Sequence, residues 1–570
     1  MTSGASPSAL GLDFGTASVR AVLVDTRNGA ERGSAVAEYR HGVIERALPG
    51  SNEPLAADWA LQHPGDYLAA MEEAVAGALR AARVEPAQVV GIGLDFTSCT
   101  ILPIDRDGRP LCLLPHFATR PHAWVKLWKH HAAQSQAERI TALAAARGEA
   151  FLANYGGRSS SEWLCAKVLQ ILDEDPAIYD AVFGFVEAGD WVASQLTGTL
   201  VRNACAAGYK GFWSRESGFP SAQFFGALHP ALSNLRDKLP GEIVPPGRRI
   251  GGLTGEMAAR LGLKAGTAVG AAIIDAHSAV PAATVVTPGR MVMVIGTSTC
   301  HMLLADRHAA VEGVAGVVAD GIVEGYYGYE AGQAAVGDLF GWYARHLAGP
   351  GQDASAMFTS LDREAASAGP GGHGVIALDW WNGNRSILAN ADLSGLLVGM
   401  TLATTRGDVY RSLIEATGFG TRRILDAFAG SGVPVAELIA VGGLAERSPL
   451  LLQIYADITR RPIRLAASAN ASALGAAMLG AVAAGESAGG HASFVSAASS
   501  MAALRPGSVE PDDTRASVYD DLYREYLELH DHFGRGGSEM MSRLRHVARP
   551  RPQAPKSSGP QDLRTSGPQV

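Results

Sequence analysis

"LGLDFGTASVRAVLVD", residues 10–25, places an acid, a glycine and two hydroxyls between two apolar runs. The flanking runs are rich in Leu and Val and read as strands, so the polar island is their connecting turn. In such a turn Gly15 lets the backbone approach an anion, Thr16 and Ser18 donate to phosphate oxygens, Arg20 supplies charge, and Asp13 holds a magnesium ion through water. Taken alone, the stretch fits an ordinary β-hairpin with a polar tip equally well.

The pattern recurs at "MVMVIGTSTCHMLLAD", residues 291–306, with Gly296, Thr297 and Ser298 answering Gly15, Thr16 and Ser18. Two such turns, one toward the start of each half, point to a duplicated nucleotide-binding domain whose hairpins clamp the phosphates of one nucleotide. A third segment, "ELIAVGGLAERSPLLLQIYADI" at residues 437–458, is predicted to be an apolar strand, a Gly-Gly turn and an amphipathic helix. Gly442 and Gly443 there let a flat ring such as adenine lie against the backbone at the strand's carboxyl end. By itself this is only a strand-to-helix turn, but together the three segments are what an ATPase of the actin and hexokinase type needs.

Composition is consistent with that reading. A chain of 570 residues with a formal net charge of −8 is long enough for two large domains and lacks the clustered Lys and Arg that phosphate-backbone binding requires, so a small molecule rather than nucleic acid is the expected partner. The cysteines Cys99, Cys112, Cys165, Cys205 and Cys300 are scattered without a CxxC pair, which suggests neither a disulfide framework nor a zinc site and fits a reducing cytoplasm. The opening lacks the features of a signal peptide, and "ASALGAAMLGAVAAG" from Ala471 is too short to span a bilayer and reads as a buried helix, so no membrane partner is expected. From about Arg549 onward Pro, Ser, Gly and Gln dominate, and residues 548–570 are expected to be a disordered tail.

In "VGAAIIDAHSAV", residues 269–280, an apolar strand ends abruptly at Asp275. A carboxylate at the mouth of a sheet can orient a hydroxyl nucleophile and take its proton in phosphoryl transfer. A strand-ending Asp is as commonly a helix cap, and the residues alone leave both readings open. His277 reads as a packed structural residue, with no second His at ligand spacing. Asp95 reads as structural, and the Gly91, Gly93 pair beside it lacks the third glycine of a dinucleotide fingerprint.

The span from about Leu10 to Val547 resembles the FGGY carbohydrate kinases. "GLLVGMTLATTRGDVYRSLIE", residues 395–415, is similar to that family's C-terminal signature, with Gly395, Gly399, Asp408, Ser412 and Glu415 at its spacing. "GLDFTSCTILPIDRDGRPL", "AAGYKGFW", "IIDAHSAVPA", "YYGYEAGQAAVGD" and "DWWNGNR" together resemble the ribulose-phosphorylating branch. Ser448 departs from the longer amide of relatives, which leaves its adenosine contact open.

The resemblance implies an α/β, two-domain, actin-like ATPase (ribonuclease H-like) fold, duplicated, with the active site in the interdomain cleft. The N-terminal domain is expected over 8–285, with most of the sugar site, and the C-terminal domain over 286–547, with most of the nucleotide site. It implies ATP and Mg2+ as cofactors, Asp275 as the catalytic base, and Ser98, Lys210, Asp275 and Glu330 around the sugar. The implied reaction is phosphorylation of L-ribulose at its 5-hydroxyl in L-arabinose catabolism. D-ribulose or xylulose kinase activity is the nearest alternative, an actin-like or chaperone-type ATPase the alternative from another class, and a homodimer is left open.

Overall fold

The computed structural model describes residues 6–347, 354–372 and 374–547; the tail expected from residue 548 lies outside them. Two sheets dominate. The first hairpin forms as predicted, with β1 (Ser8–Phe14) and β2 (Ser18–Asp25) antiparallel and β3 (Glu31–Glu38) on the outer side. After helix α1 (Pro64–Ala82), strand β4 (Val89–Phe96) returns parallel to β1.

Residues before α1 and those between β4 and the next strands of this sheet together build a subdomain with its own apolar core around Trp59, Trp124 and Trp163. It carries α2 (Leu164–Glu174) and α3 (Ala204–Gly211). Strands β5 (Arg249–Gly252), β6 (Ala268–Gly270) and β7 (Ile273–Ile274) then complete seven strands, in the order β5-β6-β4-β1-β2-β3, with β7 pairing β4. Helix α4 (Asp275–Ala282) leads out of β7.

The second half repeats the scheme. β8 (Arg290–Ile295) and β9 (Thr299–Ala305) are the second predicted hairpin, followed by β10 (Gly316–Ala319) and β11 (Tyr327–Gln333). After the long helix α5 (Arg406–Gly430) come β12 (Glu437–Val441), the short helices α6 (Gly443–Arg447) and α7 (Pro449–Thr459), and β13 (Ile463–Leu465). The order is β10-β11-β9-β8-β12-β13. In each sheet three antiparallel strands are followed by two parallel ones, β3-β2-β1-β4-β6 in the first and β11-β9-β8-β12-β13 in the second. This is the duplicated, actin-like arrangement.

The single helix expected after Gly443 is broken. Pro449 has no N–H and disfavours helical geometry at the preceding residue, so Ser448 leaves the helix and caps a new one, its hydroxyl accepting from Leu451 N at 3.3 Å.

Helix α8 (Ala471–Ala484) is buried as predicted, but against the other half of the chain. It packs on β1 and β4 and beside α4. The approach is close because the strands present glycine: a Cβ at Gly93 would sit 2.0 Å from Ala476 O. Around this contact one core joins both sheets, drawing Ala9, Val22 and Ile273 from the first and Val292, Met302 and Ile439 from the second. Helix α9 (Asp513–Gly534) closes the second half. No helix among the described residues is long and apolar enough to cross a membrane, and all five cysteines are free.

Candidate active site

Strand register builds the first part of the site. Arg20 on β2 stands opposite Asp13 on β1, Asp13 opposite Asp95 on β4, and Asp95 opposite Ile273 on β7, two residues before Asp275. Three carboxylates therefore gather at the carboxyl ends of β1, β4 and β7, although like charges side by side destabilise a sheet. Asp95 is wholly buried and neither of its carboxylate oxygens has a hydrogen-bond partner. Burial, then the charges of Asp13 and Asp275, push its carboxyl well above the usual range. Burial also raises Asp13, against the neighbouring Asp95 carboxyl and the charge of Arg20. Hard oxygen donors concentrated in this way suit a magnesium ion.

Asp275 is the first residue of α4, and its carboxylate accepts from the adjacent Ala276 N at 2.7 Å. The N-cap position falls to Ile274, so the carboxylate is not consumed in capping from that place. Burial raises Asp275 to about 7, with the charges of Asp13 and Glu330 adding to the effect.

Each Gly-Thr turn is closed by a bond from its glycine, the second turn being one residue shorter than the first. Gly15 N donates to Ser18 O and Gly296 N to Ser298 O, each at 2.9 Å. The first turn is braced by Gln62 Nε2 on Thr16 O at 2.8 Å and by the Trp128 indole N–H on Thr16 Oγ1 at 3.1 Å. That second bond occupies the hydroxyl as an acceptor and leaves its O–H free to donate. The second turn is braced by Val336 N and Asp338 N on Thr297 O, at 2.9 and 3.1 Å. Gly442, with φ 109°, lies against it, since a Cβ there would sit 2.5 Å from Ile295 O. Gly443 is exposed at the start of α6.

The two halves meet at Glu330. This residue of β11 accepts from Lys210 Nζ of α3 at 2.8 Å and from the Arg385 guanidinium, and its side chain is 3 % exposed. Burial alone would raise the Glu330 carboxyl, but Lys210 and Arg385 hold it down at about 2. Burial works against the Lys210 ammonium, yet the Glu330 charge raises it. His277 Nε2 lies 3.4 Å from Glu330 Oε2 without hydrogen-bond alignment, and burial lowers its pKa to about 4, so the ring is neutral at pH 7. Ser98, in the turn after β4, lines a small cavity with Ala206, Ile273 and Ile274, neighbours of Lys210 and Asp275.

Lys210, Asp275 and Glu330 thus form one electrostatic cluster, with Ser98 at its edge and Asp13 beside it. Arg385 and Trp128 belong to the same surroundings, and sequence reading did not single them out. The "DWWNGNR" segment holds Arg385, but nothing local marks it as a partner of Glu330. The signature residues have a different role. Asp408 makes a reciprocal cap with Thr405 at the start of α5, and Glu415 is buried against Arg411 and Tyr519.

His41, His63 and Asp66 bring three potential ligand atoms within 4.8 Å of one another. The imidazoles are stacked 4.6 Å apart at 23°, so their ring planes do not meet at one ion, and His63 Nδ1 already accepts from Gly65 N. The trio caps α1.

Residues 8–281 match the N-terminal domain model, and residues 291–484 the C-terminal domain model, of the FGGY family of carbohydrate kinases. Curated proteins similar along the length include the ribulokinases of Anoxybacillus flavithermus and Geobacillus thermodenitrificans. Each is 53% identical over 544 residues, covering 94% of this chain and 96% of the relative. Among solved structures, the xylulose kinase from Rhodospirillum rubrum superposes with a TM-score of 0.77 at 24% identity, covering 92% of this chain and 98% of that one. This last likeness is one of fold.

Proposed function

The chain belongs to the FGGY family of carbohydrate kinases, and on that premise we propose that it transfers the γ-phosphoryl group of ATP to the 5-hydroxyl of L-ribulose. The observation that carries the reading is the meeting of Lys210, Glu330 and Asp275 where the two halves join, with two phosphate-type turns at the equivalent strand ends of the two sheets. The ribulokinases at 53% identity support ribulose as the sugar.

In this reading the lobes 8–285 and 286–547 enclose the reactants. Gly15, Thr16, Ser18, Arg20, Gly296, Thr297 and Ser298 hold the phosphates, and Gly442 and Gly443 face the adenosine. Asp13 would hold magnesium, which when bound offsets phosphate charge. Ser98, Lys210 and Glu330 orient the sugar hydroxyls. The 5-hydroxyl oxygen bonds to phosphorus, the bond from phosphorus to the bridging oxygen breaks, the hydroxyl proton passes to Asp275, and ADP leaves. A carboxylate suffices as base because the transition state is loose and proton transfer comes late. Closure of the lobes excludes water, which would otherwise compete as acceptor.

Comparing kcat/KM for L-ribulose, D-ribulose, L-xylulose, D-xylulose and glycerol, and locating the phosphate by phosphorus NMR, tests the reading. L-ribulose is expected to lead, with phosphate on the 5-oxygen. A preference for xylulose or glycerol, or phosphate on the 1-oxygen, overturns the substrate assignment.

A further inference from the structure

We propose that Lys167 is a positioning residue whose single buried ammonium fixes both the sugar-side turn at Ser98 and the phosphate-side turn at Thr16. The inference rests on the sugar-kinase reading above.

Lys167 lies on α2 and is 0 % exposed. Its ammonium donates to Cys99 O at 2.6 Å and Leu127 O at 2.9 Å, with Lys126 O farther away at 3.4 Å. No carboxylate among the described residues forms an ion pair with it within 4.0 Å. Cys99 follows Ser98 directly and holds φ 55°, a left-handed conformation that residues with a Cβ rarely adopt. The charge-assisted bond to its carbonyl secures that turn. On the other side, Leu127 precedes Trp128, whose indole donates to Thr16 Oγ1 at 3.1 Å. Each Lys167 bond is therefore made to the residue next in the chain to Ser98 or Trp128.

Burying an ammonium is costly, and an apolar side chain of similar volume would fill the space without that cost. Retaining the ammonium here is explained by the two carbonyls it holds. Lys126 provides the contrast. It is equally buried, its Nζ has no hydrogen-bond partner, and it lies 4.9 Å from the centre of the Trp59 ring.

The test is steady-state kinetics of the full chain with L-ribulose and ATP for Lys167→Met, Lys126→Met and the double variant Lys167→Met/Cys99→Gly. Lys167→Met is expected to raise both KM values by about tenfold or more, the scale of one lost charge-assisted hydrogen bond, and to change kcat less. Lys126→Met is expected to move neither KM beyond about twofold, below the size of one such bond. Glycine adopts the left-handed turn unaided, so the double variant recovers the sugar KM while its ATP KM stays high.

The inference fails if folded Lys167→Met keeps either KM within about twofold of the parent, or if Lys126→Met reproduces its effects. Should Lys167→Met not accumulate as folded protein, Lys167→Gln, whose shorter and neutral amide gives up the charge-assisted bonds to the two carbonyls, carries the same comparison. A parent chain that phosphorylates none of the ketopentoses overturns the functional reading instead. The proposal is then decided by calorimetry with ADP, where Lys167→Met must weaken binding and Lys126→Met must not.

Discussion

The Lys210 ammonium lies 2.8 Å from the Glu330 carboxylate across 120 residues of sequence, joining a helix of the first half to a strand of the second. Both groups are fully charged in a place that water scarcely reaches, and each is held so by the other. Removing one leaves the other uncompensated. Lys210→Met is expected to lower kcat/KM for the sugar by about tenfold to a hundredfold, as for a lost hydrogen bond to a charged group. An unchanged value in a coupled ADP assay would remove Lys210 from the sugar site.

The same pair makes stability depend on acid. The folded-state pKa of Glu330 is about 2, below its ordinary 4.5, so the stability from its ionised form is fully present above 4.5 and is lost as pH falls through about 2. In urea unfolding, the gap between the parent chain and Glu330→Gln is expected to narrow across that window. A gap independent of pH would show that Glu330 is not held ionised by the fold.

Asp275→Asn is expected to bind ATP and sugar by calorimetry yet lose about a hundredfold to ten-thousandfold in kcat, the range for a general base. Because burial places the Asp275 carboxyl near 7, kcat/KM of the parent should fall on the acid side of about that pH as the base becomes protonated. Turnover of the Asn variant within a few-fold of the parent would exclude Asp275 as the base.

Thr16→Val removes an O–H that is free to donate and leaves the Trp128 indole without its acceptor. It is expected to raise the KM for ATP by about tenfold, and Thr297→Val to act in the same direction, with sugar affinity nearly unchanged. Loss of sugar affinity with ATP dependence intact would move these turns away from the nucleotide.

Gly93→Val would place a Cβ 2.0 Å from Ala476 O, a backbone atom that cannot turn aside. The strand and α8 must separate, at a cost of about 1–3 kcal/mol or more. Thermal unfolding measures this, and an unchanged midpoint would mean that the contact is looser than described.

The two hairpins were legible in sequence because their information is local: apolar runs rich in Leu and Val set the strands and Gly-Thr pairs set the turns. Asp275 was legible as a strand-end acid for the same reason. What stayed hidden depends on partners far along the chain. Arg385 acquires its meaning from Glu330, on a strand 55 residues earlier, and Asp95 from strand register that sets it between two other acids. Gly91 and Gly93, read against a dinucleotide fingerprint, are instead the seat of α8. The break at Ser448 was written locally in Pro449, but the apolar periodicity running across it obscured the signal.

The seating of α8 on β1 and β4 also sets an order of events during synthesis. The glycine-lined face of the first sheet leaves the ribosome early, whereas the helix that covers it ends at Ala484. Until then that face has no lid of its own, and a truncation near residue 285 would leave a sticky surface rather than a free-standing domain. The first half is made first yet waits for a helix of the second to complete it.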